Sequence, residues 1–240
     1  MRKLLTVSAL ALMLAACSDD PSPREVQDRE VTDLNTANTD GKAYAQAKAL
    51  PAGDLTELRL GGRTGERTVA MENSTGSYAD LRGYVACPQG MDPCDPKTAP
   101  AGTVFTYVFV VYPGGDNDED TGVGSNNTAS DIERATAFRM VMPAHGFTGN
   151  AGYAKPEALA AIGTKADVVV TCDNGGLVWT VSAGDGGDQW EQKEPLTFYW
   201  QSTLPPSGTA PAYVFDADST FSTGSGPYPA AKAGAKNACG

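Results

Sequence analysis

The stretch Val104-Phe105-Thr106-Tyr107-Val108-Phe109-Val110-Val111-Tyr112 is the most strand-like part of the sequence. Its β-branched and aromatic residues fit the pleated surface of a sheet. Apolar residues occupy both alternating sets of positions, a pattern typical of a strand that is buried on both faces. The sequence therefore predicts a central strand over 104–112, covered on both sides.

Shorter apolar runs recur along the chain, separated by clusters of Gly, Pro, Asn and Asp. The runs have the length and composition of strands, and the clusters have those of turns. Further strands are predicted at 55–60, 67–71, 81–86, 135–142, 167–172, 177–182, 196–201 and 212–216. In the strand at 196–201, Leu196, Phe198 and Trp200 alternate with more polar residues, which is typical of a strand buried on one face only.

Two local patterns complete the prediction of the fold. The residues Asp173-Asn174-Gly175-Gly176 lie between two strands and favour a tight hairpin, because Asn and Gly tolerate positive φ angles. Residues 155–162 predict a helix of two turns, with Pro156 near its start and Gly163 after its end. Many strands with one short helix indicate an all-β fold. We expect an antiparallel β-sandwich rather than a closed sheet, because the strands are unevenly spaced.

The charge of the chain excludes one class of protein. Its 240 residues hold 29 acidic and 18 basic side chains, giving a formal net charge of −11. Nucleic-acid binding through a basic surface is therefore not expected. The chain has one histidine, so a multi-histidine metal site is excluded as well.

The N-terminus has the pattern of an export signal. Met1-Arg2-Lys3 is followed by an apolar run from 4 to 16, which has the length of a signal-peptide core and is too short to span a membrane. The junction Leu14-Ala15-Ala16-Cys17 resembles the lipobox of bacterial lipoproteins. The alternative is an ordinary secretory signal cleaved near Ala15 or Ala16.

The lipoprotein resemblance implies cleavage before Cys17 and acylation of Cys17, which would then hold the protein to membrane lipid. Ser18 follows, where the inner-membrane retention signal of the family has Asp, so the resemblance implies an outer-membrane lipoprotein of the cell envelope. We accordingly divide the chain into a signal peptide (1–16), a lipidated flexible tether (17–50), a β-sandwich domain (51–218) and an extended glycine-rich tail (219–240).

Four cysteines remain once Cys17 is used by the lipid: Cys87, Cys94, Cys172 and Cys239. An even number of thiols in an exported protein indicates disulfides, and three pairings are possible. We favour Cys87–Cys94, which closes a short turn-rich loop, and Cys172–Cys239, which ties down the tail. The alternatives are a metal site and a redox centre; both are disfavoured because the spacing matches neither.

An acidic loop is the candidate metal site. Asp116, Asp118 and Asp120 have the spacing of the first oxygen ligands of a calcium loop. The loop departs from the EF-hand pattern, because Thr121 replaces the turn glycine and Asn127 replaces the bidentate glutamate. A solvated hairpin loop is the favoured interpretation, and Ca²⁺ is the only cofactor that the sequence suggests.

The tryptophans suggest a ligand class. Trp179 and Trp200 lie on the apolar faces of predicted strands, so we expect them in the core. Trp190 lies in a polar loop and is the candidate for an exposed ring that stacks on a sugar. His145 is the only histidine and comes with no motif that supplies a nucleophile, so we expect a surface or packing role.

These patterns favour a lipid-anchored envelope protein whose β-domain is not an enzyme and binds or assembles with an unknown envelope protein. The alternative is a carbohydrate-binding module, with or without calcium. An envelope hydrolase is the least favoured class, because no pairing of nucleophile and base is visible in the sequence.

Overall fold

Eleven strands and one helix follow one another along residues 49–114 and 132–240, the parts of the chain that the computed structural model describes. The strands are β1 (Ala52–Asp54), β2 (Leu60–Asn73), β3 (Gly76–Pro88), β4 (Phe105–Pro113), β5 (Ala135–Met140), β6 (Phe147–Tyr153), β7 (Asp167–Asp173), β8 (Gly176–Ser182), β9 (Leu196–Ser202), β10 (Pro206–Ala217) and β11 (Thr220–Pro229). Helix α1 (Lys155–Ile162) lies between β6 and β7, and a 3₁₀ turn (Leu55–Glu57) lies between β1 and β2. The predicted all-β class is confirmed.

The strands form one sheet in the order β1-β6-β9-β4-β3-β2-β11-β10-β5-β8-β7. Every neighbouring pair is antiparallel except β1–β6. The join between β2 and β11 is a single residue pair, Glu72 with Thr223, whereas β10 and β11 pair along most of their length. The sheet therefore has two layers, of six and five strands, which meet at this narrow seam.

The two layers face each other across one aromatic core. The rings of Phe109 on β4 and Tyr213 on β10 are 4.3 Å apart, and those of Phe138 on β5 and Phe198 on β9 are 5.3 Å apart. All four side chains are buried. Aromatic contacts of this kind stabilise a core beyond the area that they bury.

Strand β4 lies in the interior of the sheet, between β9 and β3, as the sequence predicts. Its inner face contributes Tyr107 and Phe109 to the main core, and its outer face contributes Val108 to a second, smaller cluster. Leu55, Leu58 and Leu60 pack against that second cluster. The prediction that β4 is covered on both faces is confirmed.

The same second cluster explains two errors. Of the predicted strand at 55–60, only Leu60 lies in a strand, as the first residue of β2: the segment begins as a 3₁₀ turn and packs against the outer face of the first layer. Because Tyr199 lies beneath this segment and is fully buried, β9 is buried on both faces and not on one as predicted. Alternation of residue types within a strand cannot predict that a segment from elsewhere in the chain buries its second face.

Two local predictions are confirmed. Asn174 and Gly175 connect β7 to β8, with φ angles of 47° and 84°, as a two-residue hairpin turn requires. Helix α1 spans Lys155–Ile162, and its last turn is closed by the N–H of Gly163, which donates to the carbonyl oxygen of Leu159.

The end of the chain differs from the expected tail. Residues 220–229 form β11, which pairs with β10 and touches β2. Its glycines make this possible, because Gly226 lies so close to Tyr213 and Phe109 that a side chain there would displace their rings. The domain therefore extends past residue 218. The proposed signal peptide (1–16) and all but the last two residues of the tether (17–50) lie outside the described residues.

Candidate binding groove

A groove of about 570 Å³ lies at the end of the seam where β2 and β11 are not paired. We call it the seam groove. Val85 of β3 is fully buried and forms part of its floor, with Pro227 of β11 beside it. Thr64 and Arg67 of β2 stand on one side, and Thr209 of β10 stands on the other. A concave site of this size with an apolar floor and a polar rim is typical of ligand pockets.

Irregular strands create the groove. The β2–β3 register shifts between Thr64 and Arg67, so the bulged residue Gly65, which also lines the groove, has no register partner on β3. The β10–β11 register shifts between Pro206 and Gly208. Bulges bend a strand and interrupt its ladder, which fits the absence of register pairs between β2 and β11 at this end of the seam.

A disulfide-bonded loop forms the remaining wall. Cys94 and Lys97 line the groove, and Cys94 is bonded to Cys87 at the end of β3, with a Cα–Cα distance of 5.4 Å. The N–H of Gly62 donates to the carbonyl oxygen of Met91 at 2.8 Å. The loop is therefore fixed to β3 by a covalent bond and to β2 by a hydrogen bond.

The rim of the groove carries positive charge in an acidic protein. Arg67 and Lys97 are exposed, and within the described residues neither lies within ion-pair distance of a carboxylate. Asp95, the only acid among the described residues of the lining, is already engaged: its Oδ1 accepts from the N–H of Lys97 at 3.0 Å and its Oδ2 from the hydroxyl of Thr98 at 3.0 Å. Sequence reasoning missed both cations, because they are 30 residues apart and belong to no motif.

Both favoured disulfides are present. Cys87 is bonded to Cys94, and Cys172 of β7 is bonded to Cys239, again with a Cα–Cα distance of 5.4 Å. The N–H of Ala238 donates to the carbonyl oxygen of Gly175, so the segment that follows β11 is held against the β7–β8 turn by both kinds of bond.

Trp190 is not an exposed ring. Its side chain is 1% exposed, its ring lies 5.3 Å from that of Phe215, and its Nε1 donates to the carbonyl oxygen of Glu194 at 2.7 Å. The expectation of an exposed stacking surface at this residue is therefore wrong. The residues beside Trp190 in the sequence are polar and indicate a surface loop, but its side chain packs in the core. Trp179 and Trp200 are fully buried, as predicted.

His145 is half-buried and packs edge-on against Tyr228, with the ring centroids 6.1 Å apart. Within the described residues its ring nitrogens make no hydrogen bond, although its carbonyl oxygen accepts from the hydroxyl of Ser202. This arrangement is that of a packing residue.

A buried ion pair joins the neighbouring strands β5 and β10 within one layer and is not part of the groove. The guanidinium of Arg139 on β5 donates from Nε to Oδ2 of Asp216 on β10 at 2.7 Å and from Nη2 to Oδ1 at 3.2 Å. Burial raises the pKa of the Asp216 carboxyl, and the neighbouring guanidinium opposes that shift. A two-point pair of this geometry fixes the register between β5 and β10.

Several candidate residues fall outside the described parts of the chain, namely Cys17 and the acidic residues Asp116, Asp118 and Asp120. Within residues 49–114 and 132–240, no group of three or more His, Cys, Asp or Glu side chains is close enough to hold a metal ion.

No described helix is long and apolar enough to cross a membrane. No protein-family model matches this chain, and no similar curated protein or solved structure is found.

Proposed function

We propose that this chain is a lipid-anchored protein of the bacterial cell envelope, held by an acylated Cys17, whose β-domain serves as a binding domain without catalytic activity. The observation that supports it best is the use of the five cysteines. Four of them form two structural disulfides, which suit an oxidising compartment. The remaining one, Cys17, stands at the end of the lipobox-like sequence.

The position of the seam groove supports a binding role. Leu50, near the start of the described residues, pairs with Val170 of β7 and lies just before β1, so it is next to the two outermost strands of the sheet. The seam lies between β2 and β11, which are the strands of each layer farthest from β1 and β7. From β1 to β2 there are five steps between strands, or about 24 Å at the usual spacing of about 4.8 Å. An anchored domain would therefore carry its groove on the edge away from its attachment.

Lipid labelling tests the anchor. We expect the full chain to incorporate palmitate, to accumulate as a precursor in globomycin, and to pellet with membranes. Cys17→Ala should release the protein, whereas Ser18→Ala, the matched neighbouring change, should not. Ser18→Asp should move it towards inner-membrane fractions. A Cys17→Ala protein that still pellets would overturn the proposal.

A glycan remains the alternative ligand. The seam groove has the volume of a small-molecule site, but the described residues that line it include no aromatic side chain on which a sugar could stack. A glycan array with the full chain decides between the two: binding to a neutral glycan would favour the carbohydrate-binding alternative.

A further inference from the structure

We infer that the seam groove binds an extended acidic segment of a partner polypeptide, with the partner's carboxylates paired to Arg67 and Lys97. This inference deepens the proposed binding role and rests on it, but it does not depend on the acyl anchor. Three features of the groove carry it: the charge on its rim, the apolar floor, and the backbone available at the β2 bulge.

The charge of the groove is opposite to that of the protein. The chain carries a net charge of −11, yet the groove exposes two cations and one carboxylate, and that carboxylate already accepts two hydrogen bonds. An approaching anion is repelled by the chain as a whole, so it can be held only where unpaired cations face it. Arg67 offers a planar fork that fits a carboxylate, and Lys97 offers a point charge.

The apolar floor of the groove favours a ligand that carries apolar groups as well as negative charge. Pro96 and Pro206 are partly exposed and provide aliphatic surface along the groove, and the buried side chains of Val85 and Pro227 close its base. A free carboxylate or phosphate would leave this surface uncovered. A segment that carries both acidic and small apolar side chains would cover the floor and still reach the cations.

The β2 bulge adds main-chain partners. Gly65 lines the groove, has no register partner on β3, and has a φ of 66°, which places it outside the regular ladder. Residues 64–67 also have no register partner on β11, so this side of β2 is an open edge to which an extended polypeptide can add as a strand. An oligosaccharide has no matching alternation of N–H and C=O groups, so we favour a polypeptide.

Fluorescence anisotropy of labelled peptides tests the inference on the full chain in detergent micelles. The probes are short peptides of alternating Glu and Ala, of Gln and Ala, and of Lys and Ala. We expect the Glu peptide alone to bind, and its binding to weaken as salt screens the exposed charges. In the variant Arg67→Gln with Lys97→Gln the affinity should fall about tenfold.

The matched control is Lys232→Gln with Lys236→Gln, which removes the same charge from exposed residues at a different cleft. It should bind as the unaltered chain does. Near-ultraviolet circular dichroism verifies that each variant is folded. The reversed variant, Arg67→Glu with Lys97→Glu, should bind the Lys peptide instead.

Three outcomes would overturn the inference. The first is that the Glu peptide does not bind. The second is an equal loss of affinity in the groove variant and the control, which would mean attraction by net charge only. The third is that oligogalacturonate binds in a way that depends on Arg67 and Lys97 while the Glu peptide does not, which would assign the groove to acidic glycans. Membrane pelleting through Cys17, measured on the same cells before detergent is added, separates a failure of this inference from a failure of the anchor.

Discussion

The N–H of Leu50 donates to the carbonyl oxygen of Val170 at 2.7 Å. Leu50 lies just before β1, and Val170 lies in the middle of β7, so one hydrogen bond links the two outermost strands of the sheet. The link protects both edges, because an unpaired edge strand invites pairing with other chains.

Removing this donor should destabilise the domain. Leu50→Pro leaves the buried carbonyl oxygen of Val170 without its partner, and we expect the free energy of unfolding to fall by about 1–3 kcal/mol. Urea unfolding measures it. Leu50→Ala reports the loss of the side chain alone, and Ala49→Pro is the positional control; equal losses in Leu50→Pro and Leu50→Ala would show that the hydrogen bond contributes little.

The two disulfides should differ in their contribution to stability. The loop closed by Cys172 and Cys239 is much longer than that closed by Cys87 and Cys94. Chain-entropy reasoning gives about 4 kcal/mol for the long loop and about 2.5 kcal/mol for the short one. Paired Cys→Ala variants, compared by urea unfolding, should preserve that order; a larger loss at Cys87–Cys94 would contradict it.

Trp190 should matter for stability and not for ligand binding. Trp190→Ala removes a ring packed against Phe198 and Phe215, and core truncations of this size cost about 3–5 kcal/mol. Trp190→Phe keeps most of the packing and should be milder. Thermal unfolding measures both changes. If Trp190→Ala retained full stability but lost affinity for a glycan, the ring would have to act as a sugar platform after all.

Alkaline pH should destabilise the domain through Tyr199. Burial raises the pKa of its phenol to about 12, and the hydroxyl donates to Oδ1 of Asn150 at 3.0 Å. An unfolded tyrosine loses its proton near pH 10. Between about pH 10 and pH 12 the folded state therefore holds a proton on Tyr199 that the unfolded state has lost, and this one group lowers the free energy of unfolding by about 1.4 kcal/mol per pH unit.

Tyr199→Phe removes this proton and should flatten the dependence of stability on pH above pH 10. Burial also raises the pKa of Tyr228 to about 12, so Tyr228→Phe should flatten it separately. Denaturant unfolding at a series of alkaline pH values measures the slope. Identical slopes in the unaltered chain and in Tyr199→Phe would contradict the assignment.

Features that depend on local sequence were predictable. Strand β4, the Asn174-Gly175 turn, helix α1 and the pairing of the four cysteines depend on neighbouring residue types or on loop length, and the structure bears them out. Each is a case in which local preference and final fold agree.

Features that depend on distant contacts were not predictable. Strand β6 contains Gly152, and the backbone of Gly53 on β1 lies so close to it that a side chain would not fit. Glycine is required for this parallel pairing, but its low strand preference argues against a strand when the sequence is read alone. The glycines of β11 lower the strand preference of that segment in the same way. The seam groove needs four strands and a disulfide-bonded loop to come together, so no single segment of the sequence predicts it.

The seam also bears on how fast the domain can fold. Its only register pair joins Glu72 and Thr223, residues 151 positions apart. Closing so long a stretch of chain costs entropy before any contact repays it, and sheets built from such distant partners fold in milliseconds to seconds rather than in microseconds. The two layers are therefore expected to pair late in folding, and the disulfide between Cys172 and Cys239 shortens the chain to be closed only in the second layer.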